Sequence, residues 1–236
     1  MNIERVREIL DRAYEENRKT LYEYEAKEIA DIVGIPTPKH IFIEDLESLD
    51  TDKISFNEPY VIKIVSPQVI HKSDVGGVVV NISREQLEEA IKKMIDTVKS
   101  KVANASIKGV LIEEMADKGV ETIVGYIRDP QFGPVVMFGL GGIFVEVYKD
   151  VSFRLAPLSM EDALSMVKEV KAYKILSGYR GIPPSDINKI SDVITRIGDL
   201  GYKFPEIREI DINPLVAYPD RVLALDVRII LGGDYG

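Results

Sequence analysis

Cysteine and tryptophan are both absent from this chain of 236 residues, and histidine occurs only twice, as His40 and His71. Without cysteine there are no disulfides and no thiolate metal sites, which fits a reducing interior. Long apolar runs are missing too. None approaches the roughly 18 residues that span a bilayer, and the charged opening "MNIERVREILDRAYEENRKT" is unlike a secretory signal. A cytoplasmic protein with no membrane partner is the expectation. Basic charge is scarce, with 30 Lys and Arg against 39 Asp and Glu and a net charge of −9. Such a surface repels phosphate backbones and argues against a nucleic-acid partner. What remains is a globular composition, 45% hydrophobic and 29% charged, long enough for one large domain or two lobes sharing a cleft.

Helical spacing of Ile3, Val6, Ile9, Leu10, Ala13 and Tyr14 predicts an amphipathic helix over residues 2–18. In "TLYEYEAKEIADIVGIPTP" Thr20 reads as the cap of a second helix, with Glu23 three residues on. Leu21, Tyr24, Ile29 and Val33 form its apolar stripe, and Gly34, Pro36 and Pro38 stop it. Strands are expected at "KHIFIE", "YVIKIV" and "GGVVVNI", then a helix from Arg84 to about Ser100. The next strands are "KGVLIEEM", "VETIVGYIRD", "GPVVMFG", "IFVEVY" and "VSFRLA", most of them separated only by turns, which predicts an antiparallel or mixed sheet. Helices around 161–170 and 186–200 precede a closing pair, "EIREIDINPLVAY" and "RVLALDVRIIL", joined through "YPDR". The implied division is an N-terminal helix over 1–19, a lobe over 20–106 and a sheet-rich lobe over 107–236, with "NASIKG" near the boundary.

Several residues along this frame carry chemistry. Lys63 sits within "VIKIV", where an ammonium must reach water, an anion such as a phosphate, or a core carboxylate. Glu113 and Glu114 end one strand and Glu121 opens the next; carboxylates there are either solvated or take the amino and hydroxyl groups of a nucleoside. Asp211 and Asn213, two apart in a strand, share a face. Asp226 lies in the apolar "VLALDV" and needs a partner. If the strands bring Asn213 to Asp226, they offer the hard oxygen ligands that Mg²⁺ accepts; otherwise Asp226 pairs with an Arg such as Arg228 or Arg208. "FGLGGIFVE", with Gly139, Gly141 and Gly142, is neither GxGxxG nor a P-loop, and says only that backbone approaches something closely. His71 occupies a polar, glycine-flanked turn between two apolar strands, while His40 at the start of "KHIFIE" carries no functional expectation.

The order of these features resembles the ATP-grasp fold, an α/β (α+β) architecture of two lobes with the nucleotide held between them. The stretches "LYEYEAKEIADIVGIPTP", "VIKIVSPQVIHKSDVGGV", "GVLIEEM", "FGLGGIFVEVYKDVSFRLAPL" and "EIDINPLVAYPDRVLALDVRI" resemble, more narrowly, the β subunits of ADP-forming acetyl-CoA synthetases. These are NDP-forming acyl-CoA synthetases related to succinyl-CoA synthetase, and the likeness covers almost the whole chain.

The resemblance implies an acid–thiol ligase catalysing acetyl-CoA + ADP + phosphate ⇌ acetate + ATP + CoA, with the phosphoryl group carried on histidine. By position, Lys63 matches the lysine on the nucleotide phosphates. Glu113 with Glu114, Met115 and Ala116 matches the adenine-binding hinge, and Glu121 the ribose contact. Asn213 and Asp226 match the Mg²⁺ ligands, Asp211 the acidic residue beside the visiting phosphohistidine, and His71 a second phosphate carrier. The succinyl-CoA relatives continue into a CoA-ligase domain, so the CoA-binding and acyl-phosphate functions are expected on a partner α subunit, in an α2β2 assembly. Other readings stay open here: another acyl specificity (aryl, branched-chain or succinate), a carboxylate–amine ligase of the same fold, or a nucleotide-binding regulatory subunit.

Overall fold

The computed structural model describes residues 2–46, 49–69, 71–141 and 150–232. It contains two compact units. One is continuous, Pro38–Asp117, and the other joins Met1–Thr37 to Lys118–Gly236. This division differs from that expected from the sequence at both ends. Strand β4 (Gly109–Glu114) lies between β1 (His40–Ile43) and β2 (Tyr60–Val65), so residues 107–117 belong with the strands before them. Likewise α1 (Ile3–Glu15) and α2 (Glu23–Ile32) share a core with the sheet built from the second half of the chain.

In the unit Pro38–Asp117 an antiparallel sheet runs in the order β1-β4-β2-β3, with β3 at Val78–Ile82. Helix α3 (Leu87–Lys101) buries Leu87, Ile91, Met94 and Val98, four positions at helical spacing, in a core with Ile62 and Ile64 of β2 and Val110 and Ile112 of β4. Alternation along β2 and β4 therefore sends the opposite set, including Lys63 and Glu113, to the other face.

The second unit holds an antiparallel sheet ordered β10-β8-β5-β6-β7, with β9 also paired to β8. Its strands are β5 (Val120–Asp129), β6 (Gly133–Leu140), β7 (Val151–Leu155), β8 (Ile207–Ala217), β9 (Val222–Ala224) and β10 (Val227–Leu231). Between β7 and β8 run α4 (Met160–Glu169), the single turn α5 (Tyr173–Leu176) and α6 (Ile187–Lys203). Ile190, Val193, Ile194, Ile197 and Leu200 of α6 pack with Val124, Tyr126, Val136 and Phe138 on one face of the sheet. The other face bears Ile127, Phe153 and Leu155 exposed.

Two local expectations are corrected. Thr20 does not cap α2: it bridges to Ile230 while Leu21 N–H donates to Ile229 O at 3.0 Å. The helix instead begins after Tyr22, whose N–H donates to Glu25 Oε2 at 2.9 Å. The final strand is two strands, interrupted at Leu225 and Asp226 opposite Pro214, which has no N–H for the ladder. The expected strand "IFVEVY" and Gly142 lie outside the described residues. Among the described residues no helix is long and apolar enough to cross a membrane.

Candidate functional site

Each unit carries its own group of the expected site residues. In the unit Pro38–Asp117, Lys63 is paired with Leu111 and Glu113 with Val61, so their side chains are diagonal neighbours on one face of adjacent strands. Lys63 Nζ lies 3.1 Å from Glu113 Oε2, and both are buried. The core carboxylate weighed as an alternative partner for Lys63 is thus Glu113 itself.

Beyond β4 the segment expected to border adenine is partly committed to the fold. Glu114 N–H donates to Lys39 O at 2.9 Å and Met115 N–H to Pro59 O at 3.0 Å. Ala116 is therefore the first of these four residues past both of these bonds, and Met115 is exposed.

His71 is exposed at the head of the turn between β2 and β3. The turn is fixed behind it. A 3-10 helix spans Ser73–Val75, Gly76 adopts a φ of 77°, and Gly77 N–H donates to Lys72 O at 2.7 Å. Gly76 is needed for its left-handed backbone, and Gly77 for space, since a Cβ there would stand 2.6 Å from Ile64 Cγ2. His71 is thus exposed just before a hydrogen-bonded turn.

In the other unit the hairpin of β8 with β10 assembles a row of polar side chains. Asp211 opposes Arg228, and the same pairing continues through Asn213 N–H, which donates to Asp226 O at 3.2 Å. Asn213 and Asp226 are thus direct cross-strand neighbours, and Glu209, Asp211 and Asn213 share a face with Asp226 and Arg228. Arg228 Nη2 reaches Glu209 Oε1 at 2.8 Å and Asp211 Oδ2 at 3.4 Å. Arg228, considered from sequence as the ion-pair partner of Asp226, is taken by these two carboxylates. Burial pushes the Asp211 carboxyl above the usual carboxylate range, Arg228 pulls it back, and Glu209 and Asp226 push it up again. Beside Asp211 a groove of about 220 Å³ is lined by Gly125, Met137, Phe153 and Glu209 among others.

Glu121 exposes its side chain at the start of β5, and its backbone O accepts from Gly141 N–H at 2.9 Å. A Cβ on Gly141 would come within 3.1 Å of the Glu121 Cβ, so the close backbone approach signalled by the glycines is to Glu121. Among the described residues no cluster of three His, Cys, Asp or Glu side chains is arranged to hold a metal ion. The fit for Mg²⁺ is instead the paired oxygen donors of Asn213 and Asp226, the two-ligand set this ion accepts when phosphates and water complete its shell. Glu209 was not foreseen; the period-two pattern that placed Asp211 and Asn213 on one face extends to it directly.

Residues 12–231 match the ATP-grasp domain family. The β subunit of ADP-forming acetate–CoA ligase I from Pyrococcus furiosus is 50% identical over 230 residues, 97% of this chain and 99% of that one. The ADP-forming acetate–CoA ligase I of Archaeoglobus fulgidus is 41% identical over 229 residues, 97% of this chain and 33% of that longer one. Among solved structures, the dinucleotide forming acetyl-coenzyme A synthetase 1 of Ca. Korarchaeum cryptofilum, in complex with coenzyme A, Ca-AMPCP and HgCl⁺, superposes with a TM-score of 0.92 at 51% identity, covering 96% of this chain and 99% of that one. A second structure of that protein, with coenzyme A and Mg-AMPPCP and its phosphohistidine segment pointing towards the nucleotide binding site, gives 0.83 at 49% identity, covering 96% and 100%.

Proposed function

This chain belongs to the ATP-grasp family, among the β subunits of ADP-forming acetate–CoA ligases, and from that premise we propose how its residues divide the work. The reaction is acetyl-CoA + ADP + phosphate ⇌ acetate + ATP + CoA, and this subunit handles the nucleotide. The observation that carries the assignment is the hairpin that sets Asn213 opposite Asp226 with Asp211 next along the same face.

Asn213 and Asp226 hold Mg²⁺, which offsets charge on the nucleotide phosphates. Lys63 serves nucleotide phosphate; Glu113 holds its ammonium in place, and with three N–H donors it can bond a phosphate oxygen as well. The segment Glu113–Ala116 borders the adenine, with Ala116 the first residue past the amides committed to Lys39 and Pro59. The exposed Glu121 carboxylate accepts from ribose hydroxyls.

Phosphoryl transfer breaks the N–P bond of a phosphohistidine and forms an O–P bond to the β-phosphate of ADP, the imidazole leaving with its electron pair. Asp211 accepts the N–H of the unmodified ring nitrogen and so fixes tautomer and aim. His71 takes the group from a histidine of the α subunit and delivers it, a task suited to an exposed ring on a glycine turn. The α subunit supplies CoA binding and acyl chemistry, two of each chain form the enzyme, and the setting is cytoplasmic.

Reconstitution with the α subunit, followed by an assay of acetyl-CoA-dependent ATP formation, tests the whole reading. Asp226→Ala and Asn213→Ala should abolish turnover, whereas a purely regulatory subunit would tolerate them. Labelled phosphate should reach His71 during turnover; label confined to the α subunit removes the second carrier.

A further inference from the structure

We infer that Arg228, anchored by Glu209, is a positioning residue that aims Asp211 for phosphoryl transfer, an assignment that rests on the role proposed for Asp211 above. Arg228 Nη2 is 2.8 Å from Glu209 Oε1 and 3.4 Å from Asp211 Oδ2. The tighter contact goes to Glu209, two residues along β8 from the residue directly opposite Arg228. That geometry makes Glu209 the anchor of the guanidinium and Asp211 its cargo. The shorter, charge-assisted bond to Glu209 orients the planar guanidinium, and from there Nη2 also reaches Asp211.

The consequence falls on the two oxygens of Asp211. Oδ2 is held by Arg228, while among the described residues Oδ1 has no hydrogen-bond partner. On its other flank Asp211 faces Gly125 across β5, which has no side chain to cover it, and both line the groove of about 220 Å³. One oxygen is tied down and the other is presented, the arrangement required to accept a single N–H from an imidazole in a fixed direction. A group 1 Å out of place in such a transfer costs about 10²-fold in rate. Arg228 touches neither nucleotide nor histidine in this scheme; it acts through Asp211.

The test uses the reconstituted enzyme, phosphorylated with acetyl-CoA and phosphate and then mixed with ADP and Mg²⁺ in single-turnover ATP formation over a range of ADP concentrations. Arg228→Met is expected to lower the limiting rate by about 10²-fold, with the ADP concentration for half-maximal rate unchanged, and Arg228→Lys to recover most of the loss. Asp211→Asn should cost at least as much, and adding Arg228→Met to it should cost nothing further. Full rate in Arg228→Met beside a slow Asp211→Asn overturns the inference and leaves the reading of Asp211 standing. Additive losses, or a loss confined to ADP affinity, also overturn it, because Arg228 would then act on its own or on the nucleotide. A fast Asp211→Asn defeats the underlying reading itself. Thermal melting of each variant checks folding, and Glu209→Gln, which removes the anchor of the guanidinium and should slow the same step, keeps the comparison usable if the methionine variant does not fold.

Discussion

At Lys63 an ammonium inside an apolar strand has to be satisfied within the fold before it can serve a ligand. Glu113 does this from the neighbouring strand at 3.1 Å. Removing one partner breaks this buried ion pair, a loss of about 3–5 kcal/mol. Lys63→Met should therefore lower the urea midpoint of the unit Pro38–Asp117 strongly, and Lys63→Met combined with Glu113→Gln should recover much of it. A lysine there for the nucleotide alone would leave the midpoint unmoved. The proposed metal pair, Asn213 and Asp226, makes a different demand. Altering groups that merely support a metal ligand costs about 10–100-fold in affinity, so losing the charge of a direct ligand should cost at least that. Asp226→Asn should raise the Mg²⁺ needed for half-maximal ATP formation by tenfold or more, and chelator should silence the native enzyme until Mg²⁺ is restored. At this scale the sequence was informative where chemistry conflicted with surroundings: Lys63 in "VIKIV" and Asp226 in "VLALDV" both stood out as charges needing partners. It did not say which partners, because diagonal contacts such as Lys63 with Glu113, or Arg228 with Glu209, depend on strand register.

Secondary structure rests on local signals that differ in strength from element to element. Helix α4 has a reciprocal cap: Ser159 Oγ accepts from Asp162 N–H at 3.1 Å, and Ser159 N–H donates to Asp162 Oδ2 at 3.0 Å. The hydrogen bonds from Ser159 hold the Asp162 carboxyl below its usual range. A depressed folded pKa gives stability that is present above the unfolded value near 3.9 and is lost as pH falls through the lower folded value. Asp162→Asn should thus be less stable than the native chain at neutral pH, and the two unfolding curves should converge in acid below about pH 4. Helix α6 offers a packing test. A Cβ on Gly201 would run into the ring of Tyr126, whose hydroxyl donates to Gly201 O at 3.0 Å. Gly201→Ala should destabilise by about 1–3 kcal/mol or more, measured by denaturant unfolding, whereas Tyr126→Phe should cost only about 1 kcal/mol. Periodicity located most of these elements, since α3, β2 and β5 lie where their apolar patterns placed them. Thr20 misled because cap chemistry and an extended bridge to Ile230 make the same local demand, and only the distant strand decides between them.

For the molecule as a whole, the chain's order and its spatial units do not coincide. The unit Pro38–Asp117 is contiguous, while the other is assembled from both ends of the sequence. Tyr14 Oη donates to Gly232 O at 3.2 Å, Leu231 N–H to Lys19 O at 2.8 Å, and Ala224 N–H to Pro36 O at 2.9 Å. No local pattern announces such closure, which is why residues 1–19 read from sequence as a separate helix. Their energetic weight follows from burial. Val6, Ile9 and Leu10 are essentially inaccessible, and at about 1.5–3 kcal/mol for each buried aliphatic side chain they contribute on the order of 5–9 kcal/mol. A domain's entire stability is about 5–15 kcal/mol, so α1 is not dispensable. Deleting residues 2–15 should unfold the unit that holds β8 and β10 while sparing the contiguous one. Hydrogen exchange reads the difference directly: amides of β8 and β10 should lose protection, and those of β2 and β4 should keep it. Protection retained in all four strands would show that α1 is an appendage, and that the core it enters is complete without it.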